Sequence, residues 1–253
     1  MLNLVLCADI LKRMETFEMR DVKKEFAQAL KKYKPDEVLG VFDIDATLIG
    51  TKDPACQLPN IKKHRKIFKE LTKALSKEEV FLVLIASVLK DSALIDLKTP
   101  KFLKDIQAQG VQCVACTGGG LFPKKRYEIL SNLGIHFTFD NDAPQFVFEE
   151  FESCFGCKPV FYKGILGANN TPKAKVVKSH LKRTGFQPKL IIFVDDRDKE
   201  IEKFDIEGVD IITIHYKGAL NFPSQNVSEE EFIQAWKQHI EDAKALKPEF
   251  IGS

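Results

Sequence analysis

The chain has 253 residues, 44% of them hydrophobic and 29% charged, and a formal net charge of +2. That length suits one large α/β domain, or one domain carrying a sizeable insertion. The near-neutral balance gives no electrostatic case for nucleic acid or an anionic membrane surface, and no run reaches the roughly 20 apolar residues that span a bilayer.

The opening MLNLVLCADILKR has no basic residue ahead of its short apolar part, and Asp9 follows directly. A cleaved signal peptide is therefore not expected. The expected compartment is the cytoplasm, with export or delivery to a host cell without a cleaved signal as the alternative. Residues 8–33 show helical spacing with mixed charge, which predicts one or two helices outside a sheet.

An apolar run, VLGVFDIDATLI over residues 38–49, then leads into Asp43 and Asp45. A buried strand cannot keep unpartnered charges in its interior, so both belong at its C-terminal end. In open α/β sheets that edge is where ligands bind. Strand alternation points both side chains the same way, and two carboxylates about 4 Å apart repel by about 4 kcal/mol at an effective dielectric near 20. Such a pair needs a cation, a shared proton, or both. Oxygen-rich sites of this kind suit magnesium.

A polar, turn-rich stretch follows Gly50. Residues 61–76 are helical and strongly basic, with Lys62, Lys63, His64, Arg65, Lys66, Lys69 and Lys73. They either face a polyanionic substrate or form a solvated helix face; His64 alone warrants no role. Residues 80–89 are apolar and read as a core element. Thr99 and Pro100 read as an N-cap and first helical position, for a helix running to about Gly110.

A second strand over 111–116 ends in Thr117, Gly118, Gly119 and Gly120, where the glycines either cradle a phosphate or form a turn. A helix follows near 124–133. The Phe-rich stretch 137–155 reads as short strands and loops, and 159–166 as a strand or hairpin arm. Residues 172–184 predict a helix bearing Lys173, Lys175 and Lys178. Residues 190–194 form an apolar strand ending in Asp195 and Asp196, and 209–215 the last strand. Ser228 and Glu231 form a capping box that opens a C-terminal helix to about Ala245. Alternating apolar strands and helices predict a mostly parallel sheet.

The chain has six cysteines. Cys113 with Cys116, and Cys154 with Cys157, have the spacing of a four-cysteine zinc site. The first pair lies in a strand-like run, where residues three apart point to opposite faces, which favours buried reduced thiols.

Three strands thus end in groups suited to phosphoryl chemistry: Asp43 with Asp45, Thr117, and Asp195 with Asp196. Together these resemble the haloacid dehalogenase (HAD) superfamily of aspartate-nucleophile phosphohydrolases. VFDIDATLI resembles its first motif, VACTGG its second, Lys173 in NNTPKAKVVKSHL its third, and IIFVDDRDKE its fourth. The stretches ALIDLKTPKFLKDIQAQGVQCVACTGG and NLGIHF most resemble an uncharacterised HAD-like group of intracellular bacteria.

The resemblance implies a Rossmann-like three-layer sandwich with a mostly parallel central sheet and a mainly helical cap insertion. The core would comprise 1–49 and 98–253, the cap 50–97, and 121–159 a possible second insertion. The implied activity is magnesium-dependent hydrolysis of a phosphomonoester, carried by a small molecule or a phosphoprotein. Asp43 would be the nucleophile and Asp45 the acid and base. Thr117, Gly118 and Lys173 would bind the phosphoryl group, and magnesium would be held by Asp43, Asp45 (through its carbonyl), Asp195 and Asp196.

Two departures from the pattern stand out. Gly119 occupies a position where this group often has arginine, and Lys175 competes with Lys173. They motivate a rival reading, a non-catalytic binding protein on the same scaffold. A phosphotransferase is the third.

Overall fold

Five consecutive buried residues, Val38–Phe42, form strand β2 at the centre of the sheet. In a computed structural model that describes residues 11–138, 145–153 and 156–246, eight strands make one sheet. The others are β1 (Leu11–Thr16), β5 (Gln112–Thr117), β6 (Phe146–Val147), β7 (Val160–Tyr162), β8 (Ile165–Gly167), β9 (Leu190–Asp195) and β10 (Asp210–Tyr216). Their order is β1-β10-β9-β2-β5-β8-β7-β6. The six from β1 to β8 pair in parallel, while β7 and β6 are antiparallel. The runs read as fully apolar are the inner strands, because a parallel strand covered on both faces has no polar side.

Helices cover both faces. On one side α1 (Met19–Ala29), α5 (Thr99–Ala108) and α6 (Pro123–Asn132) pack Phe26, Phe102 and Leu130 against Phe42 and Ile192. On the other, α7 (Lys173–Thr184) and α8 (Asp198–Lys203) pack Val176, Val177 and Ile201 against Val41 and Phe193. This is the expected three-layer α/β sandwich. Cys113 and Cys116 fall in these two opposite cores. They cannot ligate one ion, and Cys154 lies outside the described residues.

Two expectations need correction. Residues 11–16, read as helical, form the edge strand β1, paired in parallel with β10. An edge strand with one solvated side tolerates Lys12, Arg13 and Glu15, so its alternation is blurred. Thr99 is the first helical residue of α5 rather than its cap. Lys98 precedes it, with its amide held by the Asp96 carboxylate at 2.8 Å.

The insertion is bounded by a small antiparallel ribbon of β3 (Ile49–Thr51) and β4 (Ser92–Leu94). Between them lie α2 (Leu58–Lys63), α3 (Arg65–Thr72) and α4 (Lys77–Lys90). The C-terminal helix α9 (Glu229–Lys244), opened by the expected Ser228–Glu231 capping box, packs on this insertion rather than on the sheet. The assignment of all of 98–253 to the core is amended accordingly. Trp236 is fully buried there and donates from Nε1 to the Ala55 carbonyl at 3.0 Å. His239 pairs with Asp53 at 2.7 Å and Lys90 with Asp242 at 2.8 Å. His64 is buried beside Phe232, its Nε2 at 3.1 Å from the Val227 carbonyl.

If α9 clamps the insertion, Trp236→Ala should cost about 3–5 kcal/mol in urea unfolding, as large core truncations do. Trp236→Phe should cost less, losing chiefly one hydrogen bond. Equal, negligible effects from both would separate α9 from the stability of the insertion.

Candidate functional site

Strands β9, β2 and β5 are neighbours, and their C-terminal ends meet at one edge of the sheet. The register pairs Phe42 with Val194, and the Asp43 amide donates to the Val194 carbonyl at 2.8 Å. The next residues along the two strands are Asp43 and Asp195, so adjacent parallel strands place these carboxylates side by side. After Asp45 the chain turns sharply through Ala46, which has φ of 59°, and the Ala46 amide donates to Ile49 O at 2.8 Å. A side chain rarely adopts that left-handed conformation, and such strain clusters at functional loops.

Asp43, Asp195 and Asp196 each offer a carboxylate oxygen within 4.8 Å of the others. Asp43 and Asp195 are buried, and Asp196 is half-buried. Lys173, at the first turn of α7, is 3% exposed. Its ammonium donates to Asp43 Oδ1 and, at 2.6 Å, to Asp195 Oδ2. Lys175 points to solvent instead. The choice between the two lysines is thereby made by helix phase: 173 faces the sheet edge and 175 does not.

Burial pushes the Asp43 carboxyl up to about 7; Lys173 opposes this, while Asp195 and Asp45 reinforce it. Asp196 is raised for the same reasons, burial first and then the Asp43 and Asp195 charges. Burial alone would lower Lys173, but the Asp43 and Asp195 carboxylates outweigh it and hold the ammonium protonated. Lys173 is ion-paired with Asp43 and Asp195, while Arg197 acts on Asp196 from the cavity side without a hydrogen bond to it among the described residues. The donor set is all oxygen, which fits a hard divalent ion such as magnesium.

Thr117, fully buried at the end of β5, donates to Asp45 Oδ2 at 3.3 Å and accepts from the Gly119 amide at 3.1 Å. Sequence reasoning missed Arg126. This α6 residue is fully buried, donates from Nε to the Gly119 carbonyl at 2.8 Å, and pairs through Nη1 with Asp45 Oδ1 at 2.8 Å. A Cβ on Gly119 would lie 2.6 Å from Arg126 Nη2. Residue 119 must therefore be glycine because a guanidinium from α6 already occupies its side-chain space. The Nη2 group has no partner among the described residues. Gly120 is required by the close approach of Gly167 in β8. Of the three glycines, only Gly118 faces the cavity with room beside it, its nearest neighbour being Arg197 at 3.8 Å from an added Cβ.

A cavity of about 240 Å³ stands over this edge, between the core and the insertion. Asp43, Asp45, Thr117, Gly118, Asp196 and Arg197 form its floor. The basic residues of α2 and α3 do not line it. Lys62, Lys63, Arg65, Lys66 and Lys69 are exposed and border a separate surface hollow with Glu229, which agrees with the second of the two readings of this segment, a solvated helix face. Among the described residues, no helix is long and apolar enough to cross a membrane.

The sequence profile of the family described as "Protein of unknown function (DUF2608)" matches residues 15–245. An uncharacterized protein of Rickettsia bellii (strain RML369-C) is 28% identical over 211 residues, covering 76% of this chain and 71% of that one. An uncharacterized protein of Rickettsia felis (strain ATCC VR-1525 / URRWXCal2) is 25% identical over 224 residues, covering 81% and 75%.

Two outcomes test the site's electrostatics. An acid whose folded pKa is raised adds stability below its unfolded value and loses it as pH climbs through the folded one. For Asp43 that window runs from near 3.8 to about 7. In metal-free buffer, Asp43→Asn should therefore gain stability relative to the parent between pH 4 and pH 8, read as the difference in Tm. A difference that shrinks with rising pH contradicts the assigned environment. Separately, a double-mutant cycle of Arg126→Gln and Asp45→Asn should show a coupling of about 1–3 kcal/mol in urea unfolding. Simple additivity would mean the pair is not formed.

Proposed function

The chain belongs to the DUF2608 family, and from that footing we propose that it is a magnesium-dependent phosphomonoesterase of the HAD type. The observation that carries the reading is the meeting of Asp43, Asp195 and Asp196 around Lys173 at one sheet edge, beneath a cavity. Magnesium would be held by the carboxylates of Asp43, Asp195 and Asp196 and the carbonyl of Asp45. When bound, it supplies positive charge that draws a phosphate dianion into an acidic site.

The chain's own groups do the rest. Asp43 attacks phosphorus in line and displaces the alcohol oxygen, giving an aspartyl-phosphate. Asp45 delivers a proton to the departing oxygen and later takes one from the attacking water. Arg126 and Thr117 grip both oxygens of Asp45 and hold it in position. Lys173 offsets charge on the phosphoryl oxygens, and Thr117 with the Gly118 backbone offers donors to them. Water on the aspartyl-phosphate then restores Asp43 and releases phosphate.

The rival reading, a non-catalytic binding protein, rested on the glycine at 119 and on the ambiguous lysine. Arg126 supplies a guanidinium where residue 119 has none, and Lys173 alone faces the acidic cluster. Both observations favour the enzyme. The substrate is a phosphorylated small molecule or a phosphoprotein. The proposed compartment is the cytoplasm, with delivery outside the cell as the alternative; buried free thiols at Cys56, Cys113 and Cys116 fit a reducing setting.

The parent protein should hydrolyse an aryl phosphate only with magnesium present, and Asp43→Asn should lower kcat by at least about 10³-fold while Tm holds or rises. Beryllium fluoride should bind the parent in a magnesium-dependent way and not the variant. Hydrolysis undiminished in Asp43→Asn would falsify the assignment. Product analysis with added alcohols separates hydrolysis from transfer to another acceptor.

A further inference from the structure

The cavity above the acidic floor has walls of a different character. Helix α4 presents Phe81, Leu84, Ile85 and Val88 to it, at i, i+3, i+4 and i+7, which is one stripe of a helix. The opposite side of α4 packs Val83 and Ala86 into the core shared with α9. Between its charged ends this helix is apolar on every side because it covers α9, the cavity and the Leu121–Phe122 segment ahead of α6. Ile61 of α2 and Phe222, from the segment after β10, line the cavity as well.

Three wall groups are polar: Thr51, Gln57 and Ser87. The Thr51 and Ser87 hydroxyls donate to the Ser87 and Leu84 carbonyls, at 3.2 and 2.8 Å. Gln57 is 5% exposed, and its Nε2 donates to the Thr51 carbonyl at 3.0 Å. That bond fixes the amide orientation and leaves Oε1 buried with no partner among the described residues. A buried acceptor left empty costs free energy that a ligand donor would recover.

Resting on the phosphomonoesterase reading, we propose that this cavity selects phosphomonoesters of a largely apolar alcohol or phenol bearing one hydrogen-bond donor, which Gln57 Oε1 accepts. A sugar or glycerol body would bring several hydroxyls against aliphatic walls that cannot satisfy them, and desolvating unpaired hydroxyls is costly. A second phosphate would meet no lysine on the walls, since those of α2 and α3 lie outside the cavity. The apolar walls therefore favour an aryl or branched-alkyl group, and the unsatisfied Gln57 Oε1 chooses among such groups.

Binding of phosphonates, which are not hydrolysed, tests this apart from catalysis. Isothermal titration with magnesium present should show phenylphosphonate binding at least about tenfold tighter than 2,3-dihydroxypropylphosphonate, as apolar pockets discriminate. Phe222→Ser, at a half-buried cavity wall, should erase most of that difference. 3-Hydroxyphenylphosphonate should outbind phenylphosphonate in the parent, and Gln57→Leu should close the gap. Equal or tighter binding of the dihydroxypropyl compound overturns the proposal, as does failure of both compounds to bind. If the apolar preference appears but no ester is hydrolysed, the selectivity stands and the catalytic reading falls. If esters are hydrolysed with sugar phosphates preferred, the reverse holds.

Discussion

A single ammonium group, Lys173 Nζ, lies between the carboxylates of Asp43 and Asp195, and the rest of the site is arranged about it. Parallel pairing of β2 and β9 makes the crowding unavoidable, since the register that joins Phe42 to Val194 sets the next two residues side by side. Like charges at such spacing in a poorly solvated junction are unfavourable by several kcal/mol. A lysine brought in by α7 offsets part of that cost. Burial and the remaining repulsion hold the Asp43 and Asp196 carboxyls above the usual carboxylate range, which is one support for the divalent ion proposed there.

The insertion turns this charged edge into an enclosed site. It leaves the core through β3 and returns through β4, so both ends of the excursion are tied together by the ribbon. Its three helices would expose a long apolar surface if left alone. Helix α9 covers one side of that surface with Phe232 and Trp236, while the other side faces the cavity. The result is a polar, acidic floor under an apolar roof. Excluding water in this way strengthens every electrostatic interaction below it.

Arg126 shows how a side chain can be supplied from a distance. Gly119 reads as a loss when its own position is considered. In space it is the gap through which a guanidinium from α6 reaches Asp45. Nothing local marks that arginine: PKKRYEIL looks like an ordinary amphipathic helix start with three adjacent basic residues. Its burial becomes apparent only when α6 is laid across the end of β5.

Much was legible in the sequence because strong local physics left few options. Apolar strands ending in Asp43, Thr117 and Asp195 had to be buried and to release their polar residues at one edge. The alternation of strands with helices then dictated a parallel, three-layer sheet, and the Ser228–Glu231 box opened its helix where its hydrogen bonds require. Tertiary structure decided what depends on company. Residues 11–16 became a strand because β10 offered an open edge, α9 joined the insertion because Trp236 found its pocket there, and the basic face of α2 and α3 turned away from the cavity because Leu58 and Ile61 turned toward it. Periodicity describes one segment at a time, whereas these outcomes are set by which surfaces meet.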